Sequence, residues 1–200
     1  MSPGATPPAS FASRPLATKL EPKGAKWRRL YATKHPDPLG FGYGLSRFSD
    51  PTGTAFAVVY LGSSVKVAFI EVILRDRGEG RVDPVPIAYA ELERFTCAEI
   101  VVREELKLVD LCGDGALRMG VPTDVVRAKD QTLARLWSEA FHAHSDRING
   151  IFYPSRLNEE RNIAIYDRAL AKLSVLSTPR LVDCRGELAK IITDLDLAVV

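Results

Sequence analysis

Residues 55–74 read AFAVVYLGSSVKVAFIEVIL, and how this stretch divides decides the fold. Residues 55–61 form a short apolar run suited to a buried strand. Ser63 or Ser64 can then cap a helix over VKVAFIEVILRD, in which Val65, Ala68, Phe69, Val72 and Ile73 fall on one face at helical spacing. The segment holds enough β-branched residues to form a strand instead. The preferred reading is strand, serine cap, helix, which places Glu71 within the helix.

Upstream, WRRLYAT (27–33) interleaves aromatic and apolar side chains with arginine and reads as the first strand. Between the two strands, residues 35–53 are dense in proline and glycine. A loop of that length inside a compact domain is usually functional or mobile. Downstream, Asp83-Pro84 and Pro86 break the chain. FTCAEIVV (95–102) and LKLVDLC (106–112) then read as two strands joined by Arg103-Glu104-Glu105, a candidate hairpin. Thr123-Asp124 opens a helical region, and DQTLARLWSEAFHAH (130–144) is amphipathic, with Leu133, Leu136, Trp137, Ala140 and Phe141 inward. Residues 150–153 and 162–166 read as strands flanking the polar loop PSRLNEERN. A last helix spans about 186–195. Helices and strands mix without regular βαβ alternation, so the fold class is α+β in a single domain.

Two hundred residues suffice for one sizeable core and argue against a second. A formal net charge of +2, spread along the chain, gives no reason to expect nucleic acid or a membrane as partner. Three scattered cysteines, Cys97, Cys112 and Cys184, form neither a zinc nor a disulfide pattern, and a reducing, cytoplasmic setting is expected. His142 and His144, two apart on a helix, point in different directions, so no metal is expected there. Residues 1–25, rich in Pro, Ala and Ser, lack the apolar core of a secretory signal. They read as a flexible tail ahead of a domain over 26–200.

Few motifs carry chemistry by themselves. Gly40-Phe-Gly-Tyr-Gly44 precedes Leu-Ser-Arg and fits neither a phosphate-binding P-loop nor a dinucleotide fingerprint. Glu71 is more informative, because an ionised carboxylate among apolar neighbours costs several kcal/mol unless it is paired or hydrogen-bonded. It lies either on a narrow exposed stripe or at a pocket, where Tyr60 and Arg29 are candidate partners. Ser46-Arg47-Phe48 and Tyr153-Pro-Ser-Arg156 each set a hydroxyl beside a guanidinium, a combination suited to phosphate.

Taken in order, these pieces resemble the RES domain, named for its Arg, Glu and Ser. They are Arg29-Leu30-Tyr31, the loop from His35 to Ser46-Arg47-Phe48, Phe56 to Leu61, Ala68 to Glu71, Leu108 to Leu111, Gln131 to Trp137, Gly150 to Arg156 and Asn162 to Tyr166. The resemblance covers roughly residues 27–170. It implies an ADP-ribosyltransferase-like mixed sheet core with flanking helices, and NAD as substrate, with inorganic phosphate a possible co-substrate. It also implies a bacterial toxin cleaving the nicotinamide–ribose bond by phosphorolysis or hydrolysis, paired with an Xre-type helix-turn-helix antitoxin. Protein mono-ADP-ribosylation and a non-catalytic interaction module are the alternatives, and a homodimer fits either.

The resemblance also distributes roles. Glu71 would stabilise the positive charge developing on the ribose, while Arg29 and Arg47 would clamp the diphosphate. Tyr60 or Tyr31 would stack on the nicotinamide or ribose. Ser155, with Arg156 or Asn162 behind it, would hold the ribose or an incoming phosphate, and the glycine-rich loop would serve as a lid. Arg28 and Arg29 are neighbours on a strand, so only one of them can face the pocket.

Overall fold

The computed structural model describes residues 5–42 and 44–200; Met1–Gly4 and Tyr43, the latter within the glycine-rich motif, lie outside the described residues. The strands are β1 (Thr18–Glu21), β2 (Lys26–Ala32), β3 (Val58–Gly62), β4 (Val85–Ile87), β5 (Phe95–Val102), β6 (Leu106–Asp110), β7 (Gly150–Pro154), β8 (Arg161–Tyr166), β9 (Leu173–Ser177) and β10 (Leu197–Val199). The helices are α1 (Val65–Phe69), α2 (Tyr89–Leu92), α3 (Gly115–Met119), α4 (Asp124–Arg127), α5 (Thr132–Ala143) and α6 (Arg185–Asp194). Eight strands form one mixed sheet in the order β1-β6-β7-β8-β3-β2-β5-β9, with β6–β7 its parallel pair, and β10 pairs with β4 separately. The fold is α+β, as the mixture of patterns required.

The two strands read as a candidate hairpin do form, but they do not pair with each other. β5 lies between β2 and β9, and β6 between β1 and β7, five places away in the sheet. Both strands are buried along most of their length, so their apolar runs hold no register signal for a mutual pairing. The link from Val102 to Leu106 reaches about 15 Å at most. Five strand spacings in a flat sheet would require about 24 Å. The sheet must therefore curl, and its concave side encloses a core of Trp27, Val59, Leu61, Ile100, Leu108, Ile163 and Ile165.

The convex side carries two separate covers. Over β3, β7 and β8 lie α5 and the loops, packed through Trp137, Phe141, Phe48, Tyr153 and Tyr166. Over β2 and β5 lie α1 and α6, packed through Leu30, Ala68, Phe69, Cys97 and Ile191. A gap remains between the two covers.

The reading of residues 1–25 as a loose tail needs correction from Ala5 onward. A 3-10 turn over Ala9–Ser13 inserts Phe11, 2% exposed, against the Trp137 and Phe141 rings at centroid distances of 5.0 and 5.6 Å. Trp137 Nε1 donates to the Ala5 carbonyl, and His144 Nδ1 accepts from the Asp146 amide while Nε2 meets the Arg14 carbonyl. β1 then pairs with β6 from Thr18 to Glu21. A polar, proline-rich stretch is thus held by one aromatic side chain and by backbone hydrogen bonds, neither of which composition reveals.

Gly150 begins β7 where the chain passes the backbone of β8. A Cβ at this position would lie 2.2 Å from the Ala164 carbonyl oxygen. Gly150→Ala is therefore expected to cost about 1–3 kcal/mol by overpacking. Chemical denaturation would show it as a lower midpoint at constant slope, and an unchanged midpoint would mean that β7 shifts freely.

Candidate active site

The preferred reading of residues 65–76 as a helix is the one observed as far as Leu74. Ser64 is the cap, its hydroxyl accepting from the Val67 amide. At Gly62 an added Cβ would lie 3.0 Å from the Ala68 amide nitrogen, and that close passage lets the helix fold straight back over β3. After Phe69 the helix widens into a π turn over Ile70–Leu74, closed by the Arg75 amide donating to the Ile70 carbonyl. Such widenings are frequent at functional sites. Glu71 lies in the widened turn, half-buried between the buried Ile70 and Ile73.

The gap between the two covers is a cavity of about 370 Å³, within the range usual for small-molecule sites. Its base is formed by Tyr60, Gly62 and Asn162 of the sheet, one wall by Ala68, Glu71 and Val72, and the other by Ser46, Arg47 and Tyr153. Arg75, Asp76, Gln131, Arg156 and Leu157 ring the mouth. Asn162, 3% exposed, donates from Nδ2 to Glu71 Oε1 at 3.2 Å, tying the carboxylate to β8.

Tyr60 serves as an internal post. Its hydroxyl accepts from the Phe48 amide at 2.8 Å and meets the Ser46 hydroxyl at 2.8 Å, fixing the loop that carries Arg47. Burial pushes its pKa up to about 12, so it keeps its proton throughout the physiological range. Tyr153, likewise raised by burial, packs edge-on against Phe48 at 4.8 Å. The Arg47 guanidinium has its pKa lowered by burial and makes one weak bond to the Val125 carbonyl at 3.4 Å. Most of its donors thus remain for an anion in the cavity.

The neighbouring arginines separate as strand alternation demands. Arg28 pairs with Gly62, Gly62 with Asn162, and Asn162 with Tyr153, so these four side-chain positions share the convex face. Arg28 is ion-paired to Glu99 at 2.5 Å on that face. Arg29 leaves the strand on the other face, though both residues border the cavity. Its guanidinium donates to the Pro38 and Gly40 carbonyls, both at 2.6 Å, and so anchors the start of the glycine-rich motif. Burial lowers its pKa.

Of the residues singled out in the sequence, Tyr60, Glu71, Arg47, Arg156 and Asn162 come together, with Arg29 at the border. Tyr31 and Ser155 do not. Tyr31 packs with the concave core, away from the cavity. Ser155 is fully buried, its hydroxyl accepting from the Leu157 amide and its own amide donating to the Glu160 carbonyl at 2.6 Å. It therefore shapes the turn that presents Arg156. Arg28, Tyr153 and Gln131 line the cavity without having been assigned roles. The strand parity that brings in Arg28 becomes readable only once Gly62 is known to be its cross-strand partner.

His142 stacks on Phe56 at 4.3 Å and His144 holds the N-terminal segment, so each has a packing role. No group of three metal-binding side chains occurs among the described residues. No helix among them is long and apolar enough to cross a membrane.

The chain thus carries a cavity on the convex face of a curled mixed sheet, with an asparagine-held glutamate in one wall. A family model described as RES domain matches residues 22–184, and the chain belongs to this family. The match runs past residue 170, where the recognisable motifs end, as far as the cap of α6. A Sinorhizobium fredii (strain NBRC 101917 / NGR234) protein described as "Probable toxin y4kH" is 44% identical over 127 residues, 64% of this chain and all of that protein. Among solved structures, a chain of the M. tuberculosis MbcT–MbcA toxin–antitoxin complex superposes with a TM-score of 0.58. It shares 18% identity and covers 78% of this chain and 82% of its own, a likeness of fold.

Proposed function

We propose that this protein is a toxin-type enzyme that cleaves the nicotinamide–ribose bond of NAD, the acceptor being water or phosphate. The observation that carries the reading is the Asn162-held Glu71 in a cavity that also presents the Arg47 and Arg156 guanidiniums. NAD offers a diphosphate for the guanidiniums and a ribose hydroxyl pair for the carboxylate.

Breaking the C1′–N bond sends both bonding electrons to the nicotinamide ring, neutralising the pyridinium and leaving an oxocarbenium-like C1′. A fixed carboxylate stabilises that charge as it develops. Water, losing a proton, or phosphate then bonds to C1′. Tyr60 keeps its proton and acts as a hydrogen-bond donor and loop post rather than as a base. Arg29, at the cavity border, holds the start of the glycine-rich motif through the Pro38 and Gly40 carbonyls.

The toxin role is supported by the name of the S. fredii relative, and an antitoxin partner by the complex to which the structural neighbour belongs. An Xre-type helix-turn-helix protein and a cytoplasmic setting belong to the same proposal. The test is nicotinamide release from NAD by the purified chain, with and without inorganic phosphate. Release is expected in at least one condition, and faster release with phosphate identifies phosphorolysis. Absence of release in both would remove the reading.

A further inference from the structure

The cavity mouth carries a charge network that neither Glu71 nor Tyr60 explains. Arg156 Nη2 meets Asp76 at 2.6 Å and its Nη1 meets Glu79 at 3.3 Å. Lys129 lies beside the same two carboxylates, 3.1 Å from Glu79 and 3.8 Å from Asp76. The network joins three segments: the turn after the π widening, the chain before α5, and the loop shaped by Ser155. Asp76 and Glu79 are placed there by a sharp turn at Arg75, whose φ of 43° is left-handed and whose Nε donates back to the Glu71 carbonyl.

The exposures are unequal. The Arg156 side chain is 25% exposed, whereas Asp76 and Glu79 are 45% and 49% exposed. The guanidinium therefore lies between solvent-facing carboxylates on one side and the cavity on the other. It is close enough to Arg47 for their charges to act on each other. Two guanidiniums facing one space repel unless an anion lies between them. The Asp76 and Glu79 carboxylates meet that need at the mouth.

The geometry points to Asp76 and Glu79 as a carboxylate clasp that competes with anionic ligands for Arg156 and so sets how much negative charge the cavity accepts. On binding, a phosphate group would take Arg156 inward, and Lys129 would keep the two carboxylates paired. The exchange replaces one set of ion pairs by another and leaves no charge without a partner. Exposed pairs of this kind are weak enough to exchange. Asp76 and Glu79 are thus specificity-determining residues that touch no substrate. This inference rests on the reading of the cavity as a diphosphate site.

The test is calorimetric titration of the full chain with inorganic pyrophosphate. Asp76→Asn/Glu79→Gln is expected to bind it about five-fold more tightly than wild type, the size set by losing two exposed ion pairs. Adding Arg156→Gln should return the affinity to or below the wild-type value. Glu159→Gln, which removes a carboxylate paired with Arg127 at 2.6 Å and not with Arg156, should leave the affinity unchanged. If the double variant does not fold, Glu79→Gln alone carries the test with a smaller gain. An unchanged affinity, a gain that survives Arg156→Gln, an equal gain in Glu159→Gln, or no binding in any variant would each overturn the clasp. Pyrophosphate binding needs no NAD cleavage. A working clasp without nicotinamide release would therefore sink only the proposed reaction, and release with a silent clasp would sink only this inference.

Discussion

Glu71→Gln is expected to lower nicotinamide release from NAD by about 10²–10³-fold, the usual cost of removing one preorganised electrostatic contact to a transition state. The variant should fold normally. Glutamine matches glutamate in shape, and its Oε1 still accepts from Asn162 Nδ2, so the tie between the π turn and β8 persists. What disappears is the formal negative charge at the cavity wall. Single-turnover rates with saturating NAD, beside circular dichroism and thermal unfolding of both proteins, would separate chemistry from stability. A folded Glu71→Gln variant that turns over NAD at the wild-type rate would exclude this cavity as the site of the reaction.

Phe11→Ala should be the most damaging substitution in the N-terminal segment, at about 3–5 kcal/mol, as for other buried phenylalanines. In a chain of this size that corresponds to a fall in Tm of roughly 6–20 °C. The ring fills a notch between Trp137 and Phe141, with both of which it makes edge contacts. Scanning calorimetry measures the effect directly. A Tm within a degree of wild type would show that the segment is not docked in solution. The notch lies on the α5 cover and the cavity lies between the covers. Residual NAD turnover well below the new Tm should accordingly stay close to wild type.

Local patterns made parts of this molecule legible in advance. β2 follows from apolar side chains interleaved with arginine, β3, β7 and β8 from short apolar runs and α5 from helical spacing, and Ser64 with the apolar stripe of α1 marks the helix that carries Glu71. The π widening was not legible, because it changes the rise of one turn without changing residue types. The β5–β6 pairing was misread because strands buried on both faces look alike in any register. Among the site residues, Glu71 stands out as a charge in apolar company with Tyr60 and Arg29 as candidate partners, whereas Asn162 enters only through the resemblance to the RES domain. The roles expected of Arg29 and Ser155 come from the resemblance to the RES domain. Their positions depend on strand parity and on a turn hydrogen bond, neither of which a string of residues displays. The docking of Phe11 depends on a receptor more than a hundred residues further along, beyond the reach of local reasoning.

That long reach has a consequence during synthesis. The carboxamide that holds Glu71 is made 91 residues after it, and the Ser138 hydroxyl that anchors the Phe48 carbonyl comes 90 residues after Phe48. At ribosomal speeds of about 5–20 residues per second, either gap lasts roughly 5–18 s. Throughout that interval the nascent chain carries the helix with Glu71 and the loop with Arg47 without the strand and helix that bring them together. The cavity is therefore completed late, several seconds after its first wall has been made.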